Sequence, residues 1–373
     1  MAHAILSASA SHRWLECPPS ARLERNYPDK QTEYAAEGTR AHALAEQTLT
    51  QFLAGGDGVV HSDDAEMQEA VQAYVDACLE KMAEARSASP DAKVLVEQHL
   101  DFSDWVPQGF GTSDMVMVSD KYIEVVDLKY GKGVPVSAEG NTQMRLYALG
   151  AYAQYGFLYS AKEVRMTIVQ PRLDSISTDS LSEEALVAWG NQIRPIAGLA
   201  YAGKGKYKAG DHCRFCRARN TCRAYSEYML AAVRADFAPG PELEDHEISE
   251  ILLKAKKIKD WLTGVEGYAL DEALQGKSWP DLKLVEGRSN RKIVDNNKAM
   301  ARLQQEGYEA LQILKPAQLK SITELEKLAG KKKFAEIMAG NIDKPPGKPA
   351  LVSIEDKRPE INPEDVSFND ELL

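Results

Sequence analysis

GTSDMVMVSDKYIEVVDLKYGKG, residues 111–133, decides how this chain is read. Met115–Val118 and Tyr122–Leu128 are short runs of β-branched and apolar residues separated by Ser119-Asp120-Lys121, the pattern of a hairpin. With Asp120-Lys121 as the two-residue loop, pairing outward from the turn brings Asp114 opposite Asp127. Opposed residues share a face, with Cβ atoms about 5 Å apart. The strand period of two puts Lys129 on the same side as Asp127. Two carboxylates and one ammonium then converge on one patch.

Paired carboxylates repel each other unless a cation sits between them, and hard oxygen ligands with open positions suit Mg²⁺ or Mn²⁺ better than zinc. Such an ion neutralises a phosphoryl oxygen and activates water, with Lys129 beside it for developing charge. The same residues also suit a surface hairpin with solvated Asp and Lys, so the rest of the chain has to choose.

At 373 residues the chain is long enough for one large core and a second smaller one. Hydrophobic residues make up 44% and charged residues 27%, as in an ordinary globular protein. No apolar run approaches a membrane span, and MAHAILSASASHRWLEC lacks a basic segment followed by a long apolar one. A cytoplasmic protein without membrane contact is expected. The net charge of -11 argues against bulk nucleic-acid binding. From Lys204 to Arg234, however, eight basic residues face only Asp211 and Glu227, a local basic face compatible with DNA.

Helical periodicity is expected over residues 1–50, broken at Pro18-Pro19, and over 65–86, where Cys78 takes a core position. KVLVEQHLDF reads as a strand before the hairpin, Asn141–Tyr155 as a helix, EVRMTIVQPR as a strand, and 182–203 as a helix. The fold class is α/β, a small mixed sheet flanked by helices. Composition changes at Phe237-Ala238-Pro239-Gly240-Pro241. The chain divides into a first domain at 1–236, a mainly helical α+β region at 237–342 and a Pro-rich, acidic, disordered tail at 343–373. The second region opens with a helix at 245–275, a strand in DLKLVEGRSNRKIV and helices near 295–306 and 316–339. In the tail, Val366, Phe368 and Leu372-Leu373 among acidic residues suit docking into a partner's groove.

On the helix at 141–155, Gln143 and Tyr147 share a face at i, i+4 spacing, and upstream Gly38, His42 and Glu46 do the same. Glu97, in the strand before the hairpin, is an additional residue within reach of the patch. The order G-x-x-x-H-x-x-x-E, G-x-x-D, D-x-K, Q-x-x-x-Y, here Gly38/His42/Glu46, Gly111/Asp114, Asp127/Lys129 and Gln143/Tyr147, resembles the RecB-type branch of the PD-(D/E)xK nucleases. The resemblance implies a restriction-endonuclease-like core and a metal-dependent DNA nuclease. His42, Asp114, Asp127 and the carbonyl of Leu128 would ligate Mg²⁺ or Mn²⁺, Lys129 would be the catalytic lysine, and Gln143 and Tyr147 would position the DNA backbone.

HCRFCRARNTC supplies Cys213, Cys216 and Cys222, and Cys17 stands far upstream. Three clustered thiols need a fourth ligand for either tetrahedral zinc or an iron-sulfur cubane, with Cys17 or His212 available; spacing alone leaves zinc and iron-sulfur open. One early cysteine with a late C-x2-C-x5-C resembles the nucleases of the AddB kind and their CRISPR-associated relatives. That resemblance implies a [4Fe-4S] cluster on Cys17, Cys213, Cys216 and Cys222, stapling the ends of the domain. The whole chain, including SHRWLECPPSARLE and WPDLKLVEGRSNRK, resembles a family of phage and prophage proteins. The expectation is a DNA exonuclease acting on ends or single strands in phage recombination or replication, in a bacterial cytoplasm, alongside a single-strand annealing or replication protein. Arg288, Arg291 and Lys292 are candidate phosphate contacts. The alternative is a catalytically inactive nuclease-fold protein that binds DNA and recruits a recombination partner.

Overall fold

Three antiparallel neighbours arise from the apolar runs between residues 93 and 128 in the computed structural model. It describes residues 4–28, 33–159, 161–233 and 244–283, with the single positions 285, 305, 330 and 333. They are β1 (Lys93–Asp101), β2 (Phe110–Val118) and β3 (Tyr122–Leu128). β2 and β3 form the expected hairpin, with Met115 opposite Val126 and Val118 opposite Ile123. Its turn is closed by Ser119 Oγ, which donates to the Tyr122 carbonyl at 2.8 Å.

A helix, α5 (Thr142–Tyr155), carries the chain across, and β4 (Glu163–Gln170) returns parallel to β3. Parallel neighbours need such a crossover. Asn141 starts α5 by accepting hydrogen bonds from the Gln143 and Met144 amides, which fixes where the Gln143 side chain leaves the helix. β5 (Ser175–Ser182) then pairs antiparallel with β4, completing a mixed sheet in the order β1-β2-β3-β4-β5.

Both faces of the sheet are covered. Val116, Val118, Ile123 and Val125 pack with Leu146 and Leu149 of α5, and with Leu186, Ile193 and Ala197 of α6 (Glu183–Ala202). On the other face Met115, Met117, Val126 and Leu128 meet Ala41, Ala45 and Leu49 of α3 (Glu33–Leu53). Val71, Tyr74 and Cys78 of α4 (Ala65–Ala88) complete that layer. Cover on two sides is why β3 is buried along its whole length, Glu124 and Asp127 included, rather than at alternate positions. The arrangement is a mixed α/β fold with a five-stranded sheet flanked by helices.

The amino-terminal segment folds into two short helices around Pro18-Pro19, α1 (Ser11–Glu16) and α2 (Ser20–Leu23). A third apolar group gathers Cys213, Cys216, Tyr225, Met229 and Trp261, drawn from the cysteine-rich loop, α7 (Arg223–Val233) and α8 (Asp245–Leu274).

The chain forms two compact units, Met1–Val265 and Glu266–Leu373. In the second, the Trp279 indole donates to the Ala269 carbonyl at 3.0 Å and stands edge-on to Tyr268. Asp281–Lys283 are not in a strand, and Asp281 sits in a turn at φ 61°. The composition change at 237–241, the expected helices near 295–306 and 316–339 except for single positions, Arg288, Arg291, Lys292 and the tail at 343–373 lie outside the described residues. Among the described residues no helix is long and apolar enough to cross a membrane.

Candidate metal centre and cysteine site

The register of the sheet brings three carboxylates to one level. On β2 and β3, Met115 pairs with Val126, so the next step along faces Asp114 towards Asp127. On β1 and β2, Val96 pairs with Met115 and Gln98 with Ser113, which leaves Glu97 across from Asp114. Glu97 drops out of the ladder and adopts φ 47°, a left-handed conformation that costs about 1–3 kcal/mol for a residue with a side chain. Strand packing alone gives no reason to hold it there.

α3 contributes the imidazole. His42 Nδ1 lies 2.9 Å from Asp114 Oδ1, while Asp114 Oδ2 accepts the Leu128 amide at 2.6 Å. The carboxylate is thereby fixed at both oxygens. His42, Glu97 and Asp114 offer ligand atoms that all lie within 4.8 Å of one another, the spacing at which three groups grip one cation.

Asp127 is the buried neighbour of this triad, 3% exposed. Its Oδ2 lies 2.7 Å from Lys129 Nζ, an ion pair within the buried site. Gln143 spans the pair: Oε1 accepts from Lys129 Nζ at 3.0 Å, and Nε2 donates to Asp127 Oδ1 at 3.2 Å. The same Nε2 lies 3.3 Å from the Tyr147 hydroxyl. Tyr147 rests against β2 at Gly111, where a Cβ would meet Tyr147 Cε1 at 2.7 Å. Glycine at 111 is therefore a packing requirement of the site.

Protonation follows from this crowding. Burial, then the charges of Asp114 and Glu46, push Glu97 up to about 7. Asp127 is raised by burial and by Asp114, against the opposing pull of Lys129. For His42, burial lowers the value, but the hydrogen bond and charge of Asp114, with Asp127 behind it, outweigh it and leave the imidazole raised. Without a cation the patch holds protons near neutrality, the behaviour of ligands waiting for positive charge.

The sequence-derived residues thus meet, with one shift of emphasis. Glu97, ranked there as an additional residue, completes the ligand-spaced triad, whereas Asp127 stays on Lys129. Glu46 is exposed one turn beyond His42. One frame residue went unnoticed. Arg172, after β4, is buried over the Tyr130 ring and reaches Glu37 at 3.4 Å and Glu66 at 2.8 Å, holding the beginnings of α3 and α4 at the end of the sheet. An arginine in a Pro-Arg-Leu turn carries no sequence signal of that role.

Cys17, Cys213, Cys216 and Cys222 line one small cavity of about 20 Å³, and the charged ends of the neighbouring Arg13 and Lys208 are paired with Glu24 and Glu16. Burial raises the Cys17 and Cys213 thiols and pushes Cys216 up to about 12. Among the described residues no three of these sulfurs lie within 4.8 Å of one another. A tetrahedral zinc bound at about 2.3 Å would bring its sulfurs to about 3.8 Å. His212 turns its Nε2 to the Lys208 carbonyl at 2.8 Å. Cys78 lies apart, in the core under α4.

A family model described as "Protein of unknown function (DUF2800)" matches residues 3–359. The chain belongs to that family. Among solved structures, the one titled "Crystal structure of SSO0001" matches this DUF2800 chain at 15% identity, covering 49% of this chain and 95% of that one. The TM-score is 0.22.

Proposed function

We propose that this DUF2800 protein is a divalent-metal-dependent DNA nuclease of the RecB-type PD-(D/E)xK class, an exonuclease acting on DNA ends or single strands. The observation that carries the reading is the convergence of His42, Glu97 and Asp114 within 4.8 Å of one another, beside the Asp127–Lys129 pair. When bound, Mg²⁺ or Mn²⁺ supplies charge neutralisation at the phosphodiester and a lowered pKa for water. His42, Glu97 and Asp114, with Asp127 adjoining, are the residues that would hold it. Their hard oxygen and imidazole donors fit such an ion, and the burial-raised carboxylates give the protons that binding displaces.

The remaining chemistry belongs to the side chains. Lys129, held between Asp127 and Gln143, offers its free protons to a non-bridging phosphate oxygen as charge builds in the transition state. Gln143 keeps Lys129 and Asp127 in register with each other. Tyr147, whose hydroxyl is raised by burial, stays a neutral phenol beside Gln143.

The cysteine cavity suits a structural [4Fe-4S] cluster held by Cys17, Cys213, Cys216 and Cys222. That the four cysteines line one cavity supports a metal group shared among them. Phage recombination or replication, with DNA and an annealing or replication protein as partners, is the setting in which such an exonuclease would work.

The test is a cleavage assay with Mn²⁺ on single- and double-stranded DNA labelled at either end, run on wild type and Asp127→Ala. Wild type releases nucleotides and Asp127→Ala does not, with unchanged circular dichroism. Cleavage retained in Asp127→Ala overturns the reading.

A further inference from the structure

We propose that Gln170 is the positioning residue of Lys129: it pins the chain just beyond that lysine and so fixes the direction from which the ammonium enters the site. The proposal rests on the nuclease reading and adds to it a residue that touches neither the cation nor the strand.

Lys129 stands one residue past the end of β3, where the strand no longer dictates its direction. Its amide donates to the Val169 carbonyl at 2.9 Å, which carries the pairing with β4 one residue further. Beyond it the chain runs Tyr130-Gly131-Lys132-Gly133. Neither glycine has a positive φ, and a Cβ at either would meet no heavy atom within 4 Å. Neither turn geometry nor lack of space therefore calls for glycine here. What glycine brings is a segment with little conformational preference of its own. Such a segment has to be held from outside.

Gln170, the last residue of β4, does this and is itself only 1% exposed. Its Nε2 donates to the Gly131 carbonyl at 2.5 Å and to the Val134 carbonyl at 2.9 Å, and its Oε1 accepts the Val136 amide at 3.0 Å. A buried amide is costly unless it is hydrogen-bonded, and here the backbone of residues 131–136 satisfies it. The partners also select the residue type. Two carbonyls require two N–H donors and one amide requires an acceptor, a set that a primary amide offers and a carboxylate does not.

Lys129 is thus tied to β4 twice, at its own amide by Val169 and two residues on by Gln170. Its flexible four-carbon stem reaches many places from a loose backbone. With the base of the residue fixed, the ammonium is held between Asp127 and Gln143. The same connection continues along β5, where Ser177 Oγ accepts the Ala138 amide and Asp179 the Gly140 amide, and it ends at Asn141, which starts α5. His42, Glu97 and Asp114 stand on α3, β1 and β2, so loosening this connection leaves the cation ligands where they are.

Gln170→Met fills a similar volume and removes all three hydrogen bonds. In Mn²⁺ cleavage its kcat per folded molecule falls by about 10–10²-fold with KM unchanged, the effect of a reacting group displaced by about 1 Å. Its Mn²⁺ uptake in calorimetry equals that of wild type, while hydrogen exchange followed by mass spectrometry quickens over residues 129–138 and not in α5. Gln170→Glu supplies a signature that a merely structural side chain lacks. Ionised, it faces two carbonyls without a donor; protonated, it regains one. Relative to wild type at each pH, its kcat recovers as pH falls from about 8 to about 6, whereas that of Gln170→Met stays low. A kcat of Gln170→Met equal to wild type, unchanged exchange, or a Gln170→Glu ratio that ignores pH each overturns the proposal. If Gln170→Met does not fold, the pH series on Gln170→Glu decides. A wild type that does not cleave sinks the nuclease reading, and exchange over 129–138 in Gln170→Met then judges the pin separately.

Discussion

His42 and Asp114, 72 positions apart in the chain, meet at 2.9 Å between Nδ1 and Oδ1, and this contact joins α3 to β2, the strand beside the centre of the sheet. Around it the site is a set of mutual restraints. Asp114 is held by His42 and the Leu128 amide, Asp127 by Lys129 and Gln143, and Glu97 by its left-handed backbone. Each restraint makes a separate prediction.

Lys129 is the one ammonium paired with the buried Asp127. Lys129→Gln keeps a polar side chain of similar reach and removes the charge. Cleavage falls by about 10²-fold or more, the effect of deleting one transition-state donor. Steady-state kinetics checks this, with kcat rather than KM carrying the loss.

Gly111 and Tyr147 share a volume that holds only one of a Cβ and a ring edge. Gly111→Ala forces the ring off its seat and destabilises the fold by about 1–3 kcal/mol. Tyr147→Ala opens a cavity and is destabilising by itself. The double variant relieves the clash, so its loss is smaller than the two single losses added together. Urea unfolding of the four proteins measures the coupling.

The pH dependence of cation uptake follows from Glu97 and His42. Below about 7 Glu97 carries a proton, and the carboxylate of Asp114 beside His42 shifts that imidazole towards its protonated form. Both must release protons to act as ligands, so affinity for Mn²⁺ strengthens as pH rises from about 6 to about 8. Glu97→Gln flattens the dependence, because an amide neither binds nor releases that proton. Calorimetry in buffers of different ionisation enthalpy reports the protons released.

The cysteine cavity predicts a structural group rather than a reactive one. Protein purified without oxygen is brown and contains iron and acid-labile sulfide in equal amounts. Cys216→Ser loses both and melts at a lower temperature, since the three thiols that remain, without a metal group, leave the ends of the domain unstapled. Colourless protein with stoichiometric zinc would reverse the cofactor assignment.

Much of this was legible in the residues, for physical reasons that differ element by element. The β2–β3 hairpin was readable because buried strands must be apolar on both faces and its turn is short, and its register then placed Asp114 against Asp127. α4 and α5 were readable from helical spacing of their buried positions. β5 was not, because SISTDSLS lies at the sheet edge with a polar outer row, and of its two large apolar side chains Ile176 is 61% exposed and Leu181 only partly buried. β2 also starts earlier than its apolar run, at Phe110, since Gly111, Ser113 and Asp114 are there for the site rather than for strand propensity. The place of Glu97 depended on the β1–β2 register, which is set across the eight-residue connection through Trp105 and no local pattern fixes. The Arg172 clamp depends on where α3 and α4 begin relative to the end of the sheet, a fact of tertiary packing.

The account stands or falls on a cation held between α3 and the central strands. Titration of Mn²⁺ into metal-free protein, followed by calorimetry, tests it most directly. Wild type takes up the ion, and Asp114→Ala, which removes the carboxylate common to His42 and Leu128, loses that uptake while remaining folded. No uptake by wild type, or equal uptake by Asp114→Ala, would contradict it.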